Sequence, residues 1–230
     1  MIPMKKLLKN IIYNKVMAIV FIKLLLKLHN KLYFIISNYS VLLNNGIHPK
    51  HKILKYKEWF LDNINENDVI LDIGSNTGMM VDVLSTKAKF VYGIEINKEM
   101  VKIAKDQYKK SNIELICADA TRFDYSKLKS IDCITLSNVL EHIKYREEFL
   151  ADIIKSVKWT NNPKILIRVP SIERDWITIY KKELGIDYRL DDTHYIEFTK
   201  KQFQGEMRHF NLSIDLIECR FGEIFSICSG

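Results

Sequence analysis

A run of glycine and polar residues follows a short apolar stretch near residue 70. Val69–Ile73 is apolar except for Asp72, and it leads into Gly74, Asn76 and Gly78 in the pattern Asp-x-Gly-x-Asn-x-Gly. Glycine adopts backbone angles that other residues rarely take and lets a ligand approach the main chain, and asparagine tolerates the left-handed conformation. Because α/β folds bind nucleoside cofactors at a turn of this kind after an apolar strand, the segment predicts such a site.

The spacing within and beyond this turn narrows the kind of nucleoside site. Dinucleotide-binding turns follow Gly-x-Gly-x-x-Gly, and Met79 stands where the third glycine would be, which weakens a nicotinamide or flavin interpretation. Glu95 ends a second predicted strand, Phe90–Glu95, 23 positions after Asp72. A carboxylate there can accept hydrogen bonds from both ribose hydroxyls. The alternative interpretation is that Glu95 caps a helix beginning near Lys98.

Two further predicted strands also end in polar residues. The strand 113–117 precedes Asp119, and the strand 131–136 precedes a turn from Ser137 to His142. Ligands of open α/β sheets bind along the carboxyl edge of the strands. Four successive strands that deliver polar residues to one edge therefore predict a single binding site there.

Together these motifs resemble the successive signature motifs of class I S-adenosylmethionine-dependent methyltransferases over about residues 65 to 170. The resemblance implies a Rossmann-like, doubly wound α/β sheet of seven strands with the last strand antiparallel, and S-adenosylmethionine as methyl donor. It also implies cofactor contacts at every strand end: Asp72, Gly74, Asn76 and Gly78 around the methionine moiety, Glu95 and Ile96 at the ribose, Asp119 and Ala120 at the adenine, and Ser137 and Asn138 near the methionine amino group. Asn76 departs from the family pattern, which often has glycine at this place.

Two histidines are candidates for removing a proton from an acceptor. A hydroxyl must lose its proton when it attacks the methyl group, and histidine has a pKa suited to a general base. His142 follows the fourth strand, whereas His194 lies in a polar and aromatic segment with Asp191 and Asp192 available to orient it. We favour His194 as the base. The alternative is that both histidines only stabilise local turns.

Other residues are candidates for holding the acceptor. Arg168 stands in an otherwise apolar predicted strand, so it either binds an acceptor carboxylate or phosphate or pairs with an internal acid such as Glu141. His48 and His51 lie in a His-Pro-Lys-His segment that resembles one found in methyltransferases of polysaccharide and glycan synthesis, and Asp192 lies in the predicted lid. The alternative for the two histidines is a solvated loop.

The C-terminal part of the chain shows helix and hairpin signals. Thr199 and Gln202 have the spacing of a capping box at the start of a helix. Two apolar runs, 212–219 and 223–228, flank Gly222 and predict a terminal β-hairpin.

The turn after the fourth strand also narrows the acceptor class. It lacks the Asn/Asp-Pro-Pro-aromatic motif of exocyclic-amine methyltransferases, so a small hydroxyl acceptor such as the sugar of a glycan is favoured. Three alternatives stay open. A lipid or quinone acceptor would agree with an enzyme that works at a membrane surface. An RNA acceptor would agree with the basic N-terminus. The non-enzyme alternative is a scaffold that binds the cofactor without turnover.

The basic residues are unevenly distributed. Residues 1–57 contain eleven lysines and no acid, and Lys5, Lys6, Lys9, Lys23, Lys27 and Lys31 fall within an arc of about 100° on a helix. We predict a basic amphipathic helical extension over 1–46, then a methyltransferase domain over 47–230 with an acceptor-side insertion at about 171–199. Three hypotheses are open for this extension: it packs on the methyltransferase core, it forms a homodimer interface, or it lies on an anionic membrane surface. Recurring lysines leave apolar runs too short for a transmembrane helix. Lysines inside the apolar stretch, without a small-residue cleavage site after it, argue against an export signal.

Four cysteines without close pairing predict reduced, buried thiols in a cytoplasmic protein, with peripheral membrane contact as an option. We predict neither a disulfide nor a metal site.

Overall fold

The computed structural model describes residues 14–230, so Lys5, Lys6 and Lys9 of the predicted lysine arc lie outside it. The chain divides into two compact units. The first contains the described residues up to Ile53 together with 175–189, and the second contains 54–174 and 190–230. The predicted boundary at residue 46 therefore falls inside the first unit, and only part of the predicted insertion 171–199 belongs to that unit.

A seven-stranded sheet forms the centre of the second unit. Its strands are β1 (Val69–Ile73), β2 (Phe90–Glu95), β3 (Ile113–Cys117), β4 (Ile131–Ser137), β5 (Trp159–Pro170), β6 (Ser213–Arg220) and β7 (Glu223–Ser229). Their order is β3-β2-β1-β4-β5-β7-β6. The five neighbouring strands β3, β2, β1, β4 and β5 are parallel, and β7 is antiparallel to both of its neighbours, β5 and β6. The predicted fold class and terminal hairpin are confirmed, and the strand order reverses between β1 and β4, where such sheets bind ligands.

The helices are α1 (Lys15–Leu43), α2 (Pro49–Leu54), α3 (Tyr56–Asp62), α4 (Met79–Leu84), α5 (Lys98–Gln107), α6 (Arg146–Ser156), α7 (Trp176–Glu183) and α8 (Lys200–His209), joined by 3₁₀ turns at Ala120–Arg122, Tyr125–Lys127, Leu140–His142 and Ile172–Arg174. Thr199 is the N-cap of α8, and its side chain and that of Gln202 form the predicted capping box.

Successive residues of β1 point into two different apolar clusters. Leu71 and Ile73 pack in a cluster with buried residues of α6 and α8. Ile70 packs in a second cluster with buried residues of α3, α4 and α5. Because side chains alternate along a strand, this division shows that helices cover both faces of the sheet. The two layers hold the strands so that their carboxyl ends share one edge.

In the first unit, α1 is one continuous helix capped by Asn14. It contacts the segment containing α7, since His29 Nδ1 lies 3.1 Å from Lys181 Nζ and Asn30 donates a 2.7 Å hydrogen bond to the carbonyl of Asp187. Within α1 only Leu26 is buried, and many of its other apolar side chains are exposed. Among the described helices, none combines the length and apolar character needed to cross a membrane.

The four cysteines are free thiols, but only two match the predicted burial. Cys133 and Cys228 are buried, and burial raises the pKa of the Cys228 thiol to about 11, so it stays protonated at neutral pH. Cys117 and Cys219 are exposed. The prediction was wrong for these two because they lie on β3 and β6, the two edge strands of the sheet.

Candidate active site

The glycine turn after β1 has the backbone geometry that its sequence predicts. Gly74, Asn76 and Gly78 have φ angles of 72°, 47° and 78°. A β-carbon at Gly74 would lie 2.7 Å from Val139 Cγ2, and one at Gly78 would lie 2.9 Å from Ala104 Cβ. Both positions therefore require glycine for conformation as well as for space. Gly78 is also the N-cap of α4.

Glu95, at the end of β2, stabilises this turn by hydrogen bonding. Its carboxylate accepts a 2.9 Å hydrogen bond from the backbone N–H of Asn76 and a 2.8 Å bond from that of Asn97. The α5 helix is capped by the Asn97 side chain, so the alternative interpretation of Glu95 as its cap is wrong. A carboxylate has about four lone-pair directions, which leaves acceptor capacity for a ribose diol.

Asp72 lies beneath the turn and is buried. Its Oδ1 accepts a 2.6 Å hydrogen bond from Thr135 Oγ1, and its Oδ2 has no hydrogen-bond partner among the described residues. Burial raises the pKa of Asp72 to about 7, with a smaller raising effect from the Glu95 charge and a lowering effect from Thr135.

This raised pKa makes stability depend on pH. The folded pKa of Asp72 exceeds its ordinary value of 3.8, so the folded protein retains a proton that the unfolded chain has lost, and stability falls as pH rises toward 7. We expect Asp72→Asn to remove this dependence. In urea unfolding, stability of the variant relative to the parent should rise by about 2 to 3 kcal/mol between pH 5 and pH 8. An equal difference at both pH values would contradict the raised pKa.

A cavity of about 930 Å³ opens at the carboxyl edge of β1, β2 and β4. Of the predicted cofactor residues, it is lined by Gly74, Asn76, Glu95, Ile96, Asp119, Ala120 and Asn138. Asp72, Gly78 and Ser137 lie in the adjoining turns and are not among its lining residues. The volume is in the range of small-molecule sites.

The side chain of Asp119 stabilises the loop at the end of β3. It accepts hydrogen bonds of 2.9 Å from Thr121 N and 2.7 Å from Thr121 Oγ1. Tyr125 donates a 2.7 Å bond to the carbonyl of Ala120. These bonds stabilise the loop that carries Asp119 and Ala120, both of which line the cavity.

The two candidate histidines lie side by side. Their ring centroids are 4.7 Å apart in an edge-to-face arrangement. His142 lines the cavity, whereas His194 is buried. Burial and the neighbouring His194 lower the pKa of His142, so its ring is neutral at neutral pH. The structure thus brings together two histidines that are 52 positions apart in the sequence.

Each ring has a hydrogen-bond partner on Nδ1. Thr193 Oγ1 lies 2.9 Å from His142 Nδ1 and donates a 2.6 Å bond to Asp191. His194 Nδ1 lies 3.3 Å from Glu197 Oε1. Although burial raises the pKa of Glu197, the hydrogen bond from His194 and the Arg174 charge hold it below its usual range, so Glu197 is ionised.

Sequence reasoning missed Thr193 and Glu197. Asp191 contacts His142 through Thr193, and Glu197 contacts His194 directly. Orientation of His194 by Asp191 and Asp192 stays a prediction. The His-x-x-Glu spacing of His194 and Glu197 was the available signal, because side chains three positions apart can meet within one turn of the chain.

Glu141, next to His142, is fully buried. Neither of its carboxylate oxygens has a hydrogen-bond partner on another described residue. Burial raises the pKa of Glu141 to about 8, and its own backbone amide and the Arg168 charge lower it by smaller amounts.

Arg168 makes the contacts of a structural ion pair. It is 3% exposed, its Nε lies 2.9 Å from Glu223 Oε2, and it donates a 3.3 Å hydrogen bond to Asn138 Oδ1. Its guanidinium also lies 4.2 Å from the ring centre of Tyr56. The internal acid that pairs with it is therefore Glu223 and not the predicted Glu141, because β7 lies beside β5 in the sheet.

His48 and His51 belong to the first unit, where their ring centroids are 5.9 Å apart. Asp192 lies in the loop before α8 and does not line the cavity. A role for these residues in acceptor binding stays a prediction.

Comparison with known proteins agrees with this geometry. Residues 71–159 match the family model described as a methyltransferase domain. A probable ribosomal RNA small subunit methyltransferase A of Pyrococcus abyssi is 27% identical over 107 residues, which cover 45% of this chain and 40% of that protein. One from Thermococcus gammatolerans is 35% identical over 68 residues, covering 30% and 24%. The chain spans less than half the length of these relatives.

Two solved structures share the fold. The YcgJ protein of Bacillus subtilis has a TM-score of 0.57 at 18% identity, covering 72% of each chain. Magnesium protoporphyrin IX methyltransferase from Synechocystis, solved with bound S-adenosylhomocysteine, has a TM-score of 0.57 at 14% identity, covering 78% of this chain and 82% of that one. At these identities the likeness concerns the fold alone.

The strand order, the glycine turn and the matched domain together define a nucleoside-binding α/β enzyme fold. Residues 71–159 match a methyltransferase domain, and the strand order and the glycine turn are those expected of the class I S-adenosylmethionine-dependent methyltransferases. The described residues fit this cofactor, because the glycine turn leaves no room for β-carbons and the Glu95 carboxylate faces the cavity. When bound, S-adenosylmethionine supplies a methyl group already activated on a positively charged sulfur.

Proposed function

We propose that this chain transfers the methyl group of S-adenosylmethionine to a hydroxyl of a small polar or glycan-type acceptor. The observation that carries the proposal is the position of His142 on the wall of the cavity that Glu95 and the glycine turn also line, with His194 4.7 Å from it. Methyl transfer mainly requires that donor and acceptor are held in line. A hydroxyl acceptor must also lose its proton, and this histidine pair is placed to assist that step.

We propose that deprotonation takes place at the cluster formed by Glu141, His142 and His194. The sequence favoured His194 as base, but His194 is buried and His142 lines the cavity. His142 is therefore the member that faces the acceptor. His194 supports it through the edge-to-face ring contact.

Aromatic side chains on the cavity rim support a sugar-like acceptor. Tyr145 and Tyr195 line the cavity and are 64% and 61% exposed. Rings of this kind can stack on the apolar face of a sugar while their hydroxyls bind its polar edge. Lys144 and Asp152, which also line the cavity, add polar contacts suited to a hydroxylated molecule.

Two other acceptor classes each have one supporting observation. The relatives from Pyrococcus abyssi and Thermococcus gammatolerans are named as ribosomal RNA methyltransferases, which favours RNA. The exposed apolar residues of α1 favour a lipid acceptor at a membrane surface. We rank both below the hydroxyl of a small acceptor, because neither observation concerns the cavity wall.

The test uses S-adenosylmethionine with a radiolabelled methyl group and three acceptor pools: glycans and nucleotide sugars, lipids, and RNA. We expect label in an O-methyl ether of the first pool. His142→Ala should lower the rate by about 100-fold or more, because acid-base assistance contributes about that much. His209→Ala, which removes an exposed histidine of α8, should leave the rate unchanged.

Label in RNA alone or in lipid alone would overturn the small-acceptor assignment. Binding of S-adenosylmethionine without transfer to any pool would instead support a cofactor-binding scaffold. Equal loss of activity in His142→Ala and His209→Ala would show that the first variant acts through stability.

A further inference from the structure

Glu141, His142 and His194 present one potential ligand atom each to a common point. These three atoms all lie within 4.8 Å of one another. Glu141 and His142 are fixed by the 3₁₀ turn after β4, and His194 comes from the loop before α8. The backbone N–H of Tyr195 donates a 2.7 Å hydrogen bond to the carbonyl of Glu141, which ties the two segments together. Three potential ligands on two connected segments are therefore held near one another.

The Glu141 carboxylate provides an independent observation that points to a ligand. Its side chain is fully buried, and neither oxygen has a hydrogen-bond partner on another described residue. A buried acid in this situation is costly to ionise unless a cation or a donor compensates its charge. Since one of its oxygens faces the two histidines, a bound cation would supply that compensation.

The hydrogen bonds behind the two histidines have the arrangement found around metal-bound imidazoles. Thr193 gives its hydroxyl proton to Asp191, so Thr193 Oγ1 accepts the Nδ1 proton of His142. His194 donates its Nδ1 proton to the Glu197 carboxylate. Each ring thus has an oxygen atom as partner of its Nδ1. Metal-binding histidines usually donate the other ring N–H to a carboxylate, a carbonyl or water, which fixes the ring orientation.

We propose that Glu141, His142 and His194 bind a divalent first-row transition ion, such as Mn²⁺ or Co²⁺. Two imidazole nitrogens and one carboxylate suit such ions better than Mg²⁺ or Ca²⁺, which prefer oxygen ligands. Ligand atoms around one ion lie about 3 to 3.5 Å apart, given metal–ligand distances of about 2.0 to 2.2 Å. Binding would thus draw the three side chains together by about 1 Å.

The role of the ion rests on the proposed function. It would bind the acceptor oxygen and lower the pKa of the hydroxyl, whose proton leaves to solvent water. The acceptor oxygen then forms a bond to the methyl carbon while the carbon–sulfur bond breaks, and that bond's electron pair stays on the sulfur. With the ion bound, His142 would be a ligand and not the proton acceptor, so the cluster of Glu141, His142 and His194 would assist deprotonation through the ion.

The test measures ion binding directly, without turnover. Chelator-treated, dialysed full-length protein is titrated with Mn²⁺, and free Mn²⁺ is counted by electron paramagnetic resonance. We expect one saturable site per chain in the parent and in His209→Gln. Glu141→Gln and His194→Gln should bind Mn²⁺ at least about 10-fold more weakly, and Thr193→Val should weaken binding by about 10-fold through loss of the Nδ1 acceptor.

Circular dichroism of each variant checks that it folds. Absence of saturable binding in the parent, or equal binding in the parent and folded Glu141→Gln, would overturn the proposal. Saturable binding that Glu141→Gln abolishes, in a protein that methylates no hydroxyl, would support the ion site and overturn the proposed function.

Discussion

Glu95→Ala is expected to weaken binding of S-adenosylmethionine by about 100-fold. The Glu95 carboxylate accepts hydrogen bonds from Asn76 N and Asn97 N, and it faces the cavity. The substitution removes the acceptors for the ribose hydroxyls and also the hydrogen bond to Asn76 N that stabilises the glycine turn. Two charge-assisted hydrogen bonds contribute about 1.5 kcal/mol each at the low end, and their sum corresponds to about a 100-fold change in the dissociation constant.

Equilibrium dialysis with labelled S-adenosylmethionine measures this effect. Glu99→Ala is the matched control, because it removes the same charge from an exposed position in the first turn of α5. Its dissociation constant should stay within about twofold of the parent value. A similarly small change in Glu95→Ala would show that the cofactor does not use this carboxylate.

The second large effect concerns the stability of the sheet. Arg168→Met leaves the Glu223 carboxylate buried without the guanidinium that lies 2.9 Å from it. Removal of one partner from a buried pair costs about 3 to 5 kcal/mol, because an uncompensated charge remains in the interior. The double variant Arg168→Met/Glu223→Leu should recover much of this loss. Urea unfolding measures the stability of the parent, of Arg168→Met and of the double variant.

The β6–β7 hairpin offers a control pair. Arg220 and Glu218 form an ion pair whose side chains are 40% and 29% exposed, so Arg220→Met should cost less than about 1 kcal/mol. If Arg168 instead served the acceptor, Arg168→Met would unfold at the parent's urea midpoint while its methyl transfer rate fell. That pair of results would restore the alternative that Arg168 binds an anionic acceptor.

The sequence predicted the sheet and the grouping of polar residues at its carboxyl edge because both depend on local patterns. Apolar runs ending in Asp72, Glu95 and Asp119 mark the strands and their carboxyl ends. The positive φ angles of Gly74 and Gly78 follow from the residue types themselves. Local signals of this kind do not depend on contacts between distant segments.

The acceptor side depends on such distant contacts, and there prediction was less accurate. The pairing of Arg168 with Glu223 requires β7 to lie beside β5, which hydrophobic periodicity does not specify. The contact between His142 and His194 depends on how the loop before α8 folds back over the turn after β4. Burial of Glu141 without a partner becomes visible only when those segments have packed.

A crystal structure with bound S-adenosylhomocysteine would test the central claim most directly. We predict that the ribose hydroxyls lie within hydrogen-bond distance of Glu95, that the adenine lies beside Asp119, and that the sulfur faces His142. A cofactor whose sulfur points away from His142, or whose ribose lies outside hydrogen-bond reach of Glu95, would contradict it.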